Sequence, residues 1–145
     1  MLVRLGGQAT VLSQRLAMLA GWLGAGTVDA AVEAEYWRMG DSFTWAPGGW
    51  PLVKVPLTLD RLAVLDVLLA ANGAARRYCC GGNLAWIGWP GSLGDLDQHL
   101  TTLGLGGLVV LGSTAAPLIG ARQGHNLAAR VKATLDPDNK FLPLA

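Results

Sequence analysis

The chain has 145 residues, 52% of them hydrophobic and 14% charged, which excludes a disordered chain and suffices to fill the core of one domain. Eleven basic residues stand against ten acidic ones, a formal net charge of +1. That balance offers no electrostatic footprint for nucleic acid or for an anionic membrane surface, and neither is expected as a partner.

From the N-terminus, residues 2–5 read as a short strand closed by Gly6 and Gly7. Leu12, Leu16, Leu19 and Leu23 follow at spacings of four, three and four, the apolar face of a helix that Gly24 and Gly26 stop. Asp29 caps a second helix through Ala34 and Trp37 that fades by Asp41. Pro47, Gly48 and Gly49 mark a loop over residues 43–51.

The next stretch is more regular. Residues 52–55 read as a strand, and residues 59–71 as a helix with Leu62, Leu65 and Leu69 inward, ended by Asn72 and Gly73. Residues 76–80 and 84–89 read as two strands joined by the hairpin residues Gly81, Gly82 and Asn83. Ser92 caps a helix through Leu96 and Leu100 that ends at Gly104, and residues 108–111 form the last core strand. The order strand, helix, strand, strand, helix, strand is the split βαβ, ferredoxin-like order. It predicts an α+β fold: an antiparallel sheet with helices on one face, an N-terminal strand-helix extension and a C-terminal helix over residues 124–135. One domain covering residues 1–145 is expected.

Residues 103–121 carry no charge, but their glycines and Pro117 read as a buried strand between loops, so no membrane span is expected. The N-terminal apolar run is interrupted by Arg15 and is better explained as an amphipathic helix than as a secretion signal. Cys79 and Cys80 are adjacent, poorly placed for a disulfide and without metal-ligand spacing. They are expected to pack as small hydrophobes in a reducing, cytoplasmic compartment, and no metal site is expected.

Neither a GxGxxG nor a GxxxxGK[ST], HExxH or GxSxG pattern occurs, and His99 and His125 have no evident companions. The last helix draws more interest. Arg122, His125 and Lys132 are spaced to share one helical face, suited to a carboxylate or to anionic groups of a flavin. Leu127, Val131 and Leu135 would lie opposite, against the sheet. Trp86 and Trp89 point to opposite faces of one strand. Together with the loop residues Trp45 and Trp50, they leave aromatic surface suited to a partner domain or to ordinary packing.

The segment from Arg130 to Pro137 (RVKATLDP) resembles the end of FAD-linked oxidases of the vanillyl-alcohol-oxidase type, whose last helix reads roughly R-x-K-x-x-x-D-P and leads into L-N-P-G. The opening LVRLGG and the triplet Tyr36, Trp37 and Arg38 resemble corresponding stretches in the FAD-binding subunit of glycolate oxidase. The resemblance implies the family's cap or substrate region, with the FAD-binding domain not represented in this chain. It implies oxidation of a small 2-hydroxy acid such as glycolate, a hydride passing to FAD, with an FAD-binding domain or subunit and an iron–sulfur subunit as partners. By position it assigns Lys132, Asp136, Pro137 and Pro143 to the cofactor side, while Leu142 and Leu144 replace the family's asparagine and glycine. Arg38, Arg122 and His125 become candidates for the substrate carboxylate. Two other readings stay open: a cap-derived interaction or small-ligand module without catalysis, and an unrelated ferredoxin-like sensor domain.

Overall fold

Glycine, asparagine and aspartate punctuate this chain, and most elements start or stop where they stand. The computed structural model describes residues 3–112, 117–122 and 124–140, with the His125 side chain excepted. The chain divides into two compact units, Met1–Phe43 and Thr44–Ala145.

The first unit holds α1 (Ala9–Leu23) and α2 (Ala30–Asp41). Gly24 ends α1 in the left-handed conformation, and the Asp29 carboxylate accepts from the backbone N–H groups of Ala31 and Val32 to start α2. Leu12, Leu16 and Leu19 are half-buried and line a groove with Leu5, Val28 and Trp37. The strand expected at residues 2–5 is corrected: the described residues 3–5 form none. Arg4 instead clamps α2, its Nε 3.0 Å from a Glu33 oxygen and its guanidinium 5.5 Å from the Trp37 ring centre. The N-terminal extension is thus two helices rather than a strand and a helix.

The second unit is α+β, as the sequence pattern predicts. Its elements are β1 (Leu52–Pro56), α3 (Leu59–Ala71), β2 (Ala75–Cys79), a 3-10 turn (Cys80–Gly82), β3 (Leu84–Gly88), α4 (Leu93–Thr102), β4 (Gly106–Leu111), β5 (Leu118–Gly120) and α5 (His125–Leu135). The strands form one sheet in the order β2-β3-β1-β4-β5, every neighbouring pair antiparallel. Val53, Val55, Ala85, Ile87 and Val109 on one face meet Leu65 and Leu69 of α3 and Leu96 and Leu100 of α4. Trp89 closes this core and donates its indole N–H to the Ser92 carbonyl at 2.9 Å.

On the other face Leu108 and Leu118 are exposed, whereas Lys54, Arg77 and Trp86 are half-buried. Arg77, Trp86, Lys54, Leu108 and Leu118 stand opposite one another, strand by strand, across all five strands. At one end the loop before β1 lies on this face. A Cβ on Gly88 would fall 3.1 Å from Ala46 Cβ and 3.7 Å from the Trp50 ring, and Arg77 stacks 5.3 Å from the Trp45 ring centre. Leu52, which alternates away from the core, is 1% exposed beside them.

Three further expectations are corrected. A fifth strand, β5, extends the sheet beyond β4. It rests on Gly120, whose φ of +79° and close approach to the Leu105 carbonyl oxygen leave no room for a side chain. The Gly120 N–H donates to Asp97 Oδ1 at 2.7 Å, fastening β5 to α4. The apolar side of α5 does not pack on the sheet: Leu127, Val131 and Leu135 are 63%, 49% and 77% exposed, because α3 and α4 already fill the helix-bearing face. Finally, Cys79 and Cys80 are both exposed rather than packed inside, because they lie where β2 leaves the sheet. Among the described residues no helix is long and apolar enough to cross a membrane, and residues 103–121 contain β4 and β5.

Candidate functional site

A groove of about 750 Å³ runs along the β4–β5 edge of the second unit, bounded by the β1–α3 junction and the start of α5. Its walls are apolar: Pro56, Leu57, Leu105, Leu108, Leu118 and Ile119. Thr58, Arg61 and Arg122 supply its side-chain polarity, and the two arginines are the formal charges among its described lining residues.

Local sequence places each of these three. Thr58 is the last extended residue before α3, and Arg61 projects from the first turn. Arg61 Nε lies 3.5 Å from an Asp60 oxygen. A hydrogen bond from the Thr58 side chain, chiefly, and the Arg61 charge hold the Asp60 carboxyl below its ordinary range, so it is ionised at neutral pH. Arg122 follows β5 directly. The Ala121 N–H donates to Leu105 O at 2.8 Å and the Gly120 N–H to Asp97, so the segment that carries Arg122 is tied to β4 and α4. Arg122 itself donates one N–H to Leu118 O at 3.3 Å, and a guanidinium has five donors.

Two planar cations beside an apolar wall suit a small organic anion: the forks take a carboxylate and the wall takes the rest of the molecule. The described lining offers no carboxylate, imidazole or thiol for proton transfer. The groove can bind and orient.

Of the residues expected to bind substrate, Arg122 is in this groove. It lies outside α5, since Gly124 caps that helix with φ +77°, so the face expected to unite it with His125 and Lys132 is interrupted. His125 opens α5, and its side chain lies outside the described residues. Arg38 belongs to the first unit, where it makes two 2.7 Å bonds to the Glu35 carboxylate. That bond is the main cause lowering Glu35 and raising Arg38 from their ordinary pKa values.

The residues assigned to the cofactor side behave differently. Lys132 Nζ bonds the Asp136 carboxylate and reaches Asn139 Oδ1 at 3.3 Å. Asp136, only 7% exposed, also accepts the Lys140 N–H at 2.7 Å. Pro137 continues the turn beyond this cap, and Pro143 lies outside the described residues. These contacts close the end of α5, leaving Lys132 and Asp136 turned toward each other.

Thr58 and Arg61 were missed in the sequence. Thr58 was legible as the residue before a helix, but only the sheet order brings it to the same groove as Arg122, more than fifty positions later. A smaller cavity of about 330 Å³ surrounds Trp89 and His99, whose rings meet edge to face at 5.9 Å. Its carboxylate, Asp95, is engaged in the α4 cap, accepting from Ser92 Oγ at 2.7 Å. Compared with known proteins, the chain matches no family model, no curated protein and no solved structure.

Proposed function

We propose that this chain is the substrate-binding part of a flavin-dependent oxidoreductase of small 2-hydroxy acids, with FAD carried on another domain or chain. The observation that supports it is the pair Arg61 and Arg122 lining one apolar groove. A glycolate-type acid needs a partner for its carboxylate and little else, and the two guanidiniums lining this apolar groove are the groups suited to it. The tail resemblance supplies the flavin side of the reading. In this account the chain's residues hold and orient the acid, and the partner domain carries the redox step.

A specific observation also favours a second reading. Because Lys132 and Asp136 satisfy each other, the groove also suits a carboxylate-binding module that does no chemistry. Both readings require the same ligand contact and part over the flavin.

The test is a calorimetric and NMR titration with glycolate and lactate, using ethylene glycol as the uncharged control. Binding of the acids, weakened at least about 10-fold in Arg61→Gln and in Arg122→Gln, is expected, since a charged hydrogen bond contributes about 1.5–3 kcal/mol. Equal affinity for the uncharged control, or no shift at the groove, would overturn both readings. Flavin absorbance after mixing with FAD and desalting separates them further. A chain that binds glycolate, retains no flavin and gains no turnover with any FAD domain supplied in trans is the module rather than the enzyme part.

A further inference from the structure

The connection between β2 and β3 places two sulfurs on the same side of the chain. Cys79 ends β2 and Cys80 opens the 3-10 turn. Successive strand residues point to opposite faces. Cys80 escapes that rule by turning into the left-handed region at φ 54°, which is uncommon for a residue with a side chain. As a result the Cys80 thiol donates to Cys79 Sγ with the sulfurs 3.9 Å apart, and both residues are exposed.

That spacing favours one kind of chemistry. A disulfide needs its sulfurs at about 2.05 Å, which would draw them together across a turn already held in an unfavourable conformation. One atom bridging both sulfurs at about 2.3 Å from each spans roughly 3.3 Å at the near-right angles of a pyramidal trivalent centre and roughly 3.8 Å at a tetrahedral angle, both far closer to the observed spacing than an S–S bond. The pair is therefore set to share a third atom. Its surroundings also act on the first sulfur. Burial first, and then the Cys80 thiol, push the Cys79 thiol above its ordinary range, while the Trp86 indole and the Lys54 charge oppose them. A Cys79 thiol that holds its proton more tightly favours a partner that condenses with S–H groups over a divalent cation, which must first displace that proton.

We propose that Cys79 and Cys80 form a vicinal dithiol site for a soft, trivalent thiophilic centre of the arsenic(III) type, held by both sulfurs at once. With an organic arsenoxide, two S–H bonds break, two As–S bonds form and the oxide oxygen leaves with both protons as water. Arsenic stays trivalent, and no oxidant or reductant enters. The third arsenic valence keeps its organic group, so the protein needs to supply only two ligands. This agrees with the described residues, which gather no group of three or more histidine, cysteine or acidic side chains.

Phenylarsine oxide added to the full chain, followed by intact-protein mass spectrometry, tests the site. One adduct is expected, heavier by one arsenoxide less one water. It should survive about 100-fold excess of 2-mercaptoethanol and be released by 2,3-dimercaptopropanol, because the second As–S bond forms at high effective concentration. Cys79→Ser and Cys80→Ser, checked for an unchanged far-UV circular dichroism spectrum, should each lose retention against the monothiol by at least about 100-fold. Equal retention by wild type and either variant, two arsenicals per chain, or a wild-type thiol pair that closes to a disulfide in air before it binds would overturn the proposal.

Discussion

Leu16 in α1 and Leu100 in α4 are the same residue on the apolar stripe of a helix, yet Leu16 is half-buried and Leu100 is 0% exposed. The difference runs through both units. In the second, two helices cover one face of a five-stranded sheet, and every core residue found belongs to it. In the first, neither α1 nor α2 buries any residue fully, and α2 is held by its cap, by Arg4 on Glu33 and Trp37, and by the Trp37 indole on Glu33. An apolar stripe forms a helix in both places, but only a sheet gives it a second surface to bury against.

The largest effect follows from that contrast. Leu100→Ala removes a fully buried side chain and should cost about 2–5 kcal/mol, read as a lowered denaturant midpoint of the sheet unit. Leu16→Ala should cost clearly less than Leu100→Ala, since Leu16 is only partly buried. Amide exchange resolved by residue gives each unit its own stability. Comparable losses in the two variants would mean that the first unit owns a core of the same quality, and the comparison would fail.

The middle effect is a pH dependence confined to the sheet unit. Arg76 Nε lies 2.5 Å from Asp66 Oδ1, and the Tyr78 hydroxyl donates to the same oxygen at 2.9 Å, joining α3 to β2. Burial and then the bond to Asp66 push the Tyr78 hydroxyl up to about 12. A raised folded value means the stabilisation is complete below the unfolded value of about 10 and is lost as pH climbs through 12. Asp66 acts at the other limit. The Arg76 bond is the main cause holding its carboxyl below the ordinary range, so its contribution is present above about pH 4 and fades as pH falls through the lowered value. Tyr78→Phe should flatten the alkaline limb of a stability–pH curve and leave the acid limb in place. An unchanged alkaline limb would assign it to another group.

What the sequence made legible follows the same division between local and distant causes. The helix over Leu59–Ala71 and the caps at Asp29 and Ser92 lie where the pattern puts them, because spacing and capping chemistry act within one or two turns. The antiparallel sheet was readable from the split order of strands and helices and, for β2 with β3, from the hairpin residues Gly81, Gly82 and Asn83. β5 was not, since three residues ending in a glycine carry no alternation to read. The α5 face was misread for the opposite reason: its spacing is sound, but helical period says nothing about whether the sheet still has a vacant face. Cys80 escaped because its left-handed turn reverses the alternation that the strand pattern implies. In the groove, Arg122 could be singled out as a cation, whereas its pairing with Arg61 depends on the β4–β5 edge closing beside the β1–α3 junction.

The smallest effect is the one best placed to test how the first unit is held. Asp29 satisfies two otherwise unpaired N–H groups, Ala31 and Val32, both at 2.9 Å. Asp29→Ala should cost about 1 kcal/mol, the usual value of a helix cap. In the sheet unit such a loss would be spread over a core and hardly change its helices. In the first unit, where no residue of α2 is fully buried, the same loss is a large share of what keeps the helix formed. Fraying should therefore appear at residues 30–33 in amide exchange, while exchange in α3 and α4 stays as in wild type. Asp29→Ser, which restores an accepting oxygen, should recover most of the protection. Protection unchanged in Asp29→Ala would mean that the Arg4 and Trp37 contacts hold α2 without its cap, and side-chain packing rather than backbone capping would then govern the first unit as it governs the second.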